Sequence, residues 1–422
     1  MDTIMAGVNW FLGLGSTVFV PIIMFVLGVA FGCGFSKSLR SGLYMGIGLT
    51  ALNMVIDLSV EAMTPITEAL SKNLHTNFSV IDIGYGNVSM AWGWPGVLAV
   101  IIGILAVNIL CVVLKLTKTL WVDAWNIWHG EAVGVTMWAC TGSLAIGIAS
   151  GILLLVINMF LGDYHAKKFQ EFNGLDGITC VATSATFTAT FTMFVMKIIN
   201  KIPGLKDLDA SSEQIKDKFG IFGEMSVIGA ILGIVMGIVS GSTVTATLQL
   251  AITLATVLVV LPRMLSLIAE GIIPISTGLS SFMKKRFPGR ELNIAVDPAI
   301  LLGDPSVMST VILMYPISIV LAAVLPGNNW IPVASLAALP YWIGGIVPYT
   351  KGNIIHTLIV AILWTIPATC IAANIAPITT EAARLCGLFT DQIANGAVFT
   401  NWDEGGNLLL WLLVKISSVF HI

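Results

Sequence analysis

Trp128-His129-Gly130-Glu131 and the Gly303-Asp304-Pro305 step set ionisable side chains against long apolar runs. A carboxylate or imidazole at bilayer depth is costly, so its presence there points to a ligand site, an ion path or a proton relay. Neutral histidine and carboxylate groups bind hydroxyls and accept their protons, which fits a hydroxyl-rich ligand such as a polyol. His129 and Glu131 are two residues apart and point to nearly opposite sides of a regular helix. They converge on one ligand only where Gly130 breaks the helix or the backbone is extended. Glu131 also suits the first turn of a helix, and Asp304 before Pro305 suits an N-cap. Asn87, Asp297 and Asn353, in other Gly- or Pro-broken stretches, complete the candidate binding set with His129, Glu131 and Asp304. Asp82 stands beside the first of these stretches and reads equally as a group that satisfies broken backbone. Thr183, Thr186 and Thr190 share a helical face and offer a hydroxyl path, although such threonines more often bond back to their own helix. No further His or Cys lies at ligand spacing, so neither a metal nor another cofactor is expected.

The elements that hold these residues are set by composition. With 56% hydrophobic and 10% charged residues and a mean hydropathy of +0.93, the 422-residue chain is a polytopic membrane protein. A formal net charge of −3 excludes a strongly basic nucleic-acid binder. Apolar segments near 15–35, 41–60, 95–114, 134–161 and 177–199, then 221–240, 243–268, 305–325, 354–376 and 404–421, form two sets of five. At about 20 residues per span they predict roughly ten spans. The first run lacks a basic flank and reads as a retained span, not a cleavable signal. The six cysteines show no C-x-x-C pairing and read as buried thiols. Asp403-Glu404, ahead of the last segment, reads as a helix cap.

The polar 201–220 stretch divides the chain into a first half, 1–200, and a second, 221–422. Glu61-Ala-Met-Thr-Pro65 with Leu70-Ser71 overlays Glu270-Gly-Ile-Ile-Pro274 with Leu279-Ser280 at one shift, 270 − 61 = 209. Gly93-Trp94-Pro95 overlays Gly303-Asp304-Pro305 at 303 − 93 = 210. Ordered matches of this kind point to a duplication. Five spans per copy force the second copy upside down, and charge agrees: Lys37 and Arg40 have an uncharged counterpart, while Lys284-Lys-Arg286 faces the single Lys72. Cytoplasmic surfaces are therefore expected at 36–41, 115–120, 200–220, 282–295 and 377–400, with Lys167 and Lys168 the exception, and both termini outside. Residues 78–96 and 291–306 read as re-entrant hairpins, and 120–133 and 330–352 as a second broken pair. Seven of the sixteen prolines lie between 298 and 348. Broken elements in matched positions of inverted repeats mark a transporter's midplane site. Only one of the two matched positions carries a carboxylate, Asp304 against Trp94, which favours function there.

Gly303-Asp-Pro-Ser306, the Pro326-Gly-Asn-Asn-Trp-Ile-Pro332 turn, Trp128-His-Gly-Glu131 and the order of segments resemble the galactitol-type IIC permeases of the bacterial phosphoenolpyruvate-dependent phosphotransferase system. The resemblance spans most of the chain. It implies an all-α membrane fold of two inverted repeats of about five helices, with a mobile core domain, a V-shaped scaffold domain and a homodimer in the bacterial inner membrane. It further implies that galactitol or a related polyol enters from outside, moves inward by an elevator-type movement, and is phosphorylated by a IIB phosphocysteine partner supplied by IIA. No phosphocysteine motif is present here, so the phosphoryl donor belongs to a separate chain, and enzymatic activity is that of the assembly. His129, Glu131 and Asp304 all stay candidates for the hydroxyl's base. The residues alone leave open an ion-coupled secondary transporter of a polyol or sugar acid, with Asp304 and Glu131 carrying protons, and the related ascorbate-type IIC proteins stay open too. A channel fits less well, for want of a filter motif.

Overall fold

The computed structural model describes residues 14, 16–30, 32–74, 78–121, 123, 125–208, 221, 224–286, 291–301 and 304–420. Gly303 and Arg290 lie outside these residues, as does most of the inter-half linker. In the first half, α1 (Ser16–Ala30) and α2 (Phe35–Leu74) precede strand β1 (Val80–Asp82), a short α3 (Gly86–Trp92) and α4 (Val97–Val113). Strand β2 (Thr119–Leu120), α5 (Trp128–Thr141), α6 (Leu144–Asn173), strand β3 (Ile178–Cys180) and α7 (Thr183–Ile199) complete it. The second half opens with α8 (Met225–Val239), α9 (Val244–Arg286), strand β4 (Asn293–Val296), a 3-10 turn at Pro298–Leu301 and α10 (Pro305–Val324). A 3-10 turn at Ala334–Ala338, α11 (Leu339–Thr350), α12 (Ile354–Leu385), the short α13 (Thr390–Ala394), strand β5 (Val398–Thr400) and α14 (Leu408–Phe420) follow.

The apolar segments coincide with helices, and fewer of these than the ten expected spans are long enough on their own to cross a membrane. Among the described residues five helices are long and apolar enough to cross a membrane, or six if α3 and α4, bent by 82°, count as one span. The 134–161 run is not one helix: it breaks at Gly142, whose φ of 69° ends α5, and restarts where Ser143 caps α6 through the Ile146 amide. Thr141 and Ser143 are too weakly polar to interrupt the hydropathy of the run, so hydropathy misses the turn. Conversely, α2 and α9 run on for 40 and 43 residues, past Pro65 in one and past Pro262 and Pro274 in the other.

Short parallel strands join the halves, an element the all-α expectation omits. β1 pairs with β5, register Val80↔Val398, and β4 pairs with β3, register Ile178↔Ile294. Around them the amide of Val80 donates to Asn329 O at 3.1 Å, and that of Asn293 to Lys118 O at 2.8 Å. The broken stretches of one half are thus satisfied by backbone of the other, as buried polar groups require. Long helices α1, α2, α8 and α9 pack mainly on one another. Gly271 lets α9 approach α2 closely, since a Cβ there would meet Ser41 O at 2.8 Å.

Candidate functional site

Helix α5 continues unbroken through His129, Gly130 and Glu131, so these side chains diverge. Gly130 serves packing: a Cβ there would lie 2.5 Å from Leu155 Cγ and 2.8 Å from Gly151 O, both on α6. Glu131 turns back into its own half, where Oε2 accepts from Trp94 Nε1 at 2.8 Å, while Oε1 has no hydrogen-bond partner among the described residues. The Trp94 indole lies against Gly134 and Gly147, whose added Cβ atoms would collide with its ring.

His129 turns the other way, to the second half. Its Nδ1 lies 2.5 Å from Glu404 Oε1, and Glu404 Oε2 accepts from Asn407 Nδ2 at 2.7 Å. In the tautomer in which Nδ1 donates to Glu404, Nε2 is left to accept a proton or bind a donor. Besides Glu404, Asp403 and Asp297 lie close enough to the ring to act on it electrostatically. Asp403 accepts from Trp342 Nε1 at 3.3 Å, and Asp297 from Asn126 Nδ2 at 2.9 Å. Asn87 Nδ2 donates to Asn401 Oδ1 at 3.2 Å, an oxygen that also accepts the Gly405 amide at 3.0 Å. Tyr85 lies edge-on to Trp128 and Tyr341 at 6.1 and 6.2 Å, so aromatic faces border the polar cluster. Buried charges are tolerated here because they are shared among histidine, indole and amide donors.

His129, Asp297 and Asn87 are therefore gathered with Asp403 and Glu404, while Glu131 stands behind them on Trp94. Asp304 and Asn353 belong elsewhere. Asp304 Oδ1 accepts the Ser306 amide at 2.8 Å and the Ser306 hydroxyl, which makes it the N-cap of α10. Asn353 caps α12 through the His356 amide and donates to Leu208 O at 2.8 Å, at the edge of the inter-half linker. Asp82 is structural: it accepts the amides of Gly84 at 2.9 Å and of Val333 and Ser335 at 2.7 Å, and the Ser335 hydroxyl at 2.5 Å. The Thr186 and Thr190 hydroxyls bond back to Ala182 and Thr186 carbonyls, and Asn158 and His165 join them in a second buried network.

Asp403-Glu404 does not cap the last helix. Asn407 does, its Oδ1 accepting the Leu409 amide at 2.9 Å, while Asp403 and Glu404 are buried in the cluster. A signal for them was available. Aligning β3 with β5 sets a shift of 400 − 180 = 220, which lays Asp403 and Glu404 over the uncharged Thr183 and Ser184. Six cysteines are free, and no group of His, Cys, Asp or Glu among the described residues is arranged to hold a metal ion.

Residues 10–392 match the family model EIIC-GAT, described as the sugar-specific permease component of the PTS system. A permease IIC component of Escherichia coli K12 is 32% identical over 412 residues, which cover 97% of this chain and 94% of that protein. The galactitol-specific EIIC components of the K12 and O157:H7 strains are each 31% identical over 415 residues, 98% of this chain and 91% of theirs.

Proposed function

Because the chain belongs to the EIIC-GAT family of sugar-specific phosphotransferase-system permeases, we propose that this multi-pass membrane protein is the IIC subunit that carries a sugar alcohol, galactitol or a close relative, across the bacterial inner membrane for phosphorylation by a cytoplasmic IIB protein. The substrate assignment draws on the galactitol-specific relatives, which align with 98% of the chain. The site assignment draws on one observation, the buried His129–Glu404 pair joining the two halves. Glu404 fixes the imidazole with its proton on Nδ1, so that Nε2 accepts the proton of the substrate hydroxyl. That oxygen attacks the phosphorus of the IIB phosphocysteine, the P–S bond breaks, and the thiolate leaves. Asn87, Asp297 and Asp403 hold the remaining hydroxyls, and Tyr85, Trp128 and Tyr341 cover the carbon face. Glu131 positions α5 through Trp94. Asp304 and Asn353 act as helix caps, a role that does not draw on the charge at Asp304.

The halves are inverted repeats on this reading. The same order of elements in each half supports it, as does the reciprocal exchange in which β1 pairs with β5 and β4 with β3. Helices α1, α2, α8 and α9 form the scaffold, against which the remaining elements move as an elevator within a homodimer. Labelled galactitol uptake into vesicles, with and without phosphorylated IIB, tests the function. Galactitol phosphate accumulates only with phosphorylated IIB. Accumulation of free polyol on a proton gradient alone overturns the proposal in favour of an ion-coupled transporter.

A further inference from the structure

A cavity of about 830 Å³ opens where the start of α2 meets the late turns of α9, lined by Lys37, Arg40 and Tyr44 from one helix and by Glu270, Pro274 and Lys285 from the other. The two basic clusters that charge patterning places on one membrane face thus meet in a single pocket. Three cations face one carboxylate. The Arg40 guanidinium donates to Tyr44 Oη at 3.2 Å and lies 4.9 Å from the ring centroid, which presents its remaining donors to the cavity. All ion pairs found among the described residues use other cations, so Lys37 and Lys285 keep theirs for a ligand.

Helix α2 also carries an apolar stripe on a neighbouring face. Phe35, Leu39, Leu43 and Ile47 are 67%, 43%, 56% and 56% exposed and recur every four residues, forming one stripe down α2. Leu43 and Ile47 also line a second groove of about 700 Å³ between α1 and α2, which continues to Pro21, Ile22 and Met54. A cationic pocket therefore gives way, within one helical turn, to an apolar groove running toward the middle of the membrane. Charge and apolar surface in this order match a phospholipid.

Architecture alone does not call for the cations. At the shift of 209 that relates the halves, Lys37 and Arg40 fall on Ala246 and Gln249, and Lys285 falls on Thr76 (37 + 209 = 246, 40 + 209 = 249, 285 − 209 = 76). Glu270 keeps its counterpart, Glu61. We propose that this pocket binds the phosphate of an anionic glycerophospholipid from the surrounding membrane, with an acyl chain laid along the α1/α2 groove.

The full-length protein, reconstituted in phosphatidylcholine nanodiscs and titrated with phosphatidylglycerol, provides the test, with lipid retention read by native mass spectrometry. Wild type retains phosphatidylglycerol over phosphatidylcholine. The triple variant Lys37→Gln/Arg40→Gln/Lys285→Gln loses on the order of a hundredfold in apparent affinity, and each single variant about fivefold. Lys285→Glu, at an exposed side chain, replaces the triple variant if that is not recovered, and Lys167→Gln/Lys168→Gln binds as wild type does. Equal retention by wild type and variants overturns the proposal. So does displacement of the lipid by inorganic phosphate, which identifies a free-anion site. Protection of Lys285 from amine acylation by phosphorylated IIB, in nanodiscs without anionic lipid, also overturns it and identifies a protein-docking surface.

Discussion

His129 Nδ1 and Glu404 Oε1 lie 2.5 Å apart although 275 residues separate them, and the two side chains are only 2% and 3% exposed. A charge-assisted bond at such depth ties α5 of the first half to the loop before α14 of the second. Emptying one side of a buried pair costs about 3–5 kcal/mol, so alanine variants confound folding with transport. Glu404→Gln and His129→Gln keep volume and hydrogen bonding. Both are expected to remain folded and to lower phosphorylating uptake by roughly 10²–10⁴-fold, the range for loss of a positioned acid or base. Galactitol binding to the same variants, measured by calorimetry, falls much less. Equal losses in binding and uptake would make the pair a binding element only.

Asp82 makes a separate, structural prediction. Its carboxylate accepts two amides and a hydroxyl from residues 333–335, across the boundary between halves. Asp82→Ala leaves those buried amides without an acceptor, at about 1–3 kcal/mol each. The variant is expected to lose several degrees in thermal unfolding in detergent, whereas Asp82→Asn, which retains one acceptor oxygen, loses less. An unchanged melting temperature in the alanine variant would remove Asp82 from the architecture.

Much of this organisation is legible in the sequence, for a physical reason. Apolar length and period are local, so the long apolar helices emerge from hydropathy whereas the short α3, α11 and α13 do not, and proline and glycine mark the broken stretches at 78–96 and 291–306. What composition cannot carry is long-range partnership. The pairing of His129 with Glu404 and the clamp of Asp82 on Ser335 depend on two halves crossing. Gly142 ends α5 within a run that Thr141 and Ser143 only weakly interrupt, and a lone αL glycine has no hydropathy signature. Asp403 and Glu404 resemble a cap because acidic residues before a helix usually are one. The asymmetry test between halves that singled out Asp304 would have found them only with the strand register in hand.

Glu131 and Trp94 form a pair whose role in positioning separates from chemistry. Trp94→Phe removes the donor to Glu131 Oε2 and leaves both carboxyl oxygens without a hydrogen-bond partner among the described residues, in a site of 0% exposure. The cost is about 1–3 kcal/mol, read as a lower melting temperature. Replacing both partners, as in Trp94→Phe/Glu131→Met, restores most of it, because an apolar pair leaves no buried donor or acceptor unmet. Restored stability with restored uptake fits a positioning role. Restored stability without uptake would assign Glu131 to the chemistry.

Asp304 separates capping from charge more simply. Its side chain accepts the Ser306 amide at the start of α10, directly before Pro305. Asparagine caps as well as aspartate, whereas alanine costs about 1 kcal/mol. Asp304→Asn is therefore expected to match wild type in thermal unfolding to within a few tenths of a kcal/mol, and Asp304→Ala to unfold at a lower temperature. Because the Asp304 carboxylate is engaged as the cap of α10, Asp304→Asn is also expected to retain phosphorylating uptake within about twofold, below the effect of a lost acid or base. A stable Asp304→Asn protein with no uptake would show that the charge itself is used, and would extend the transport site to the entrance of α10.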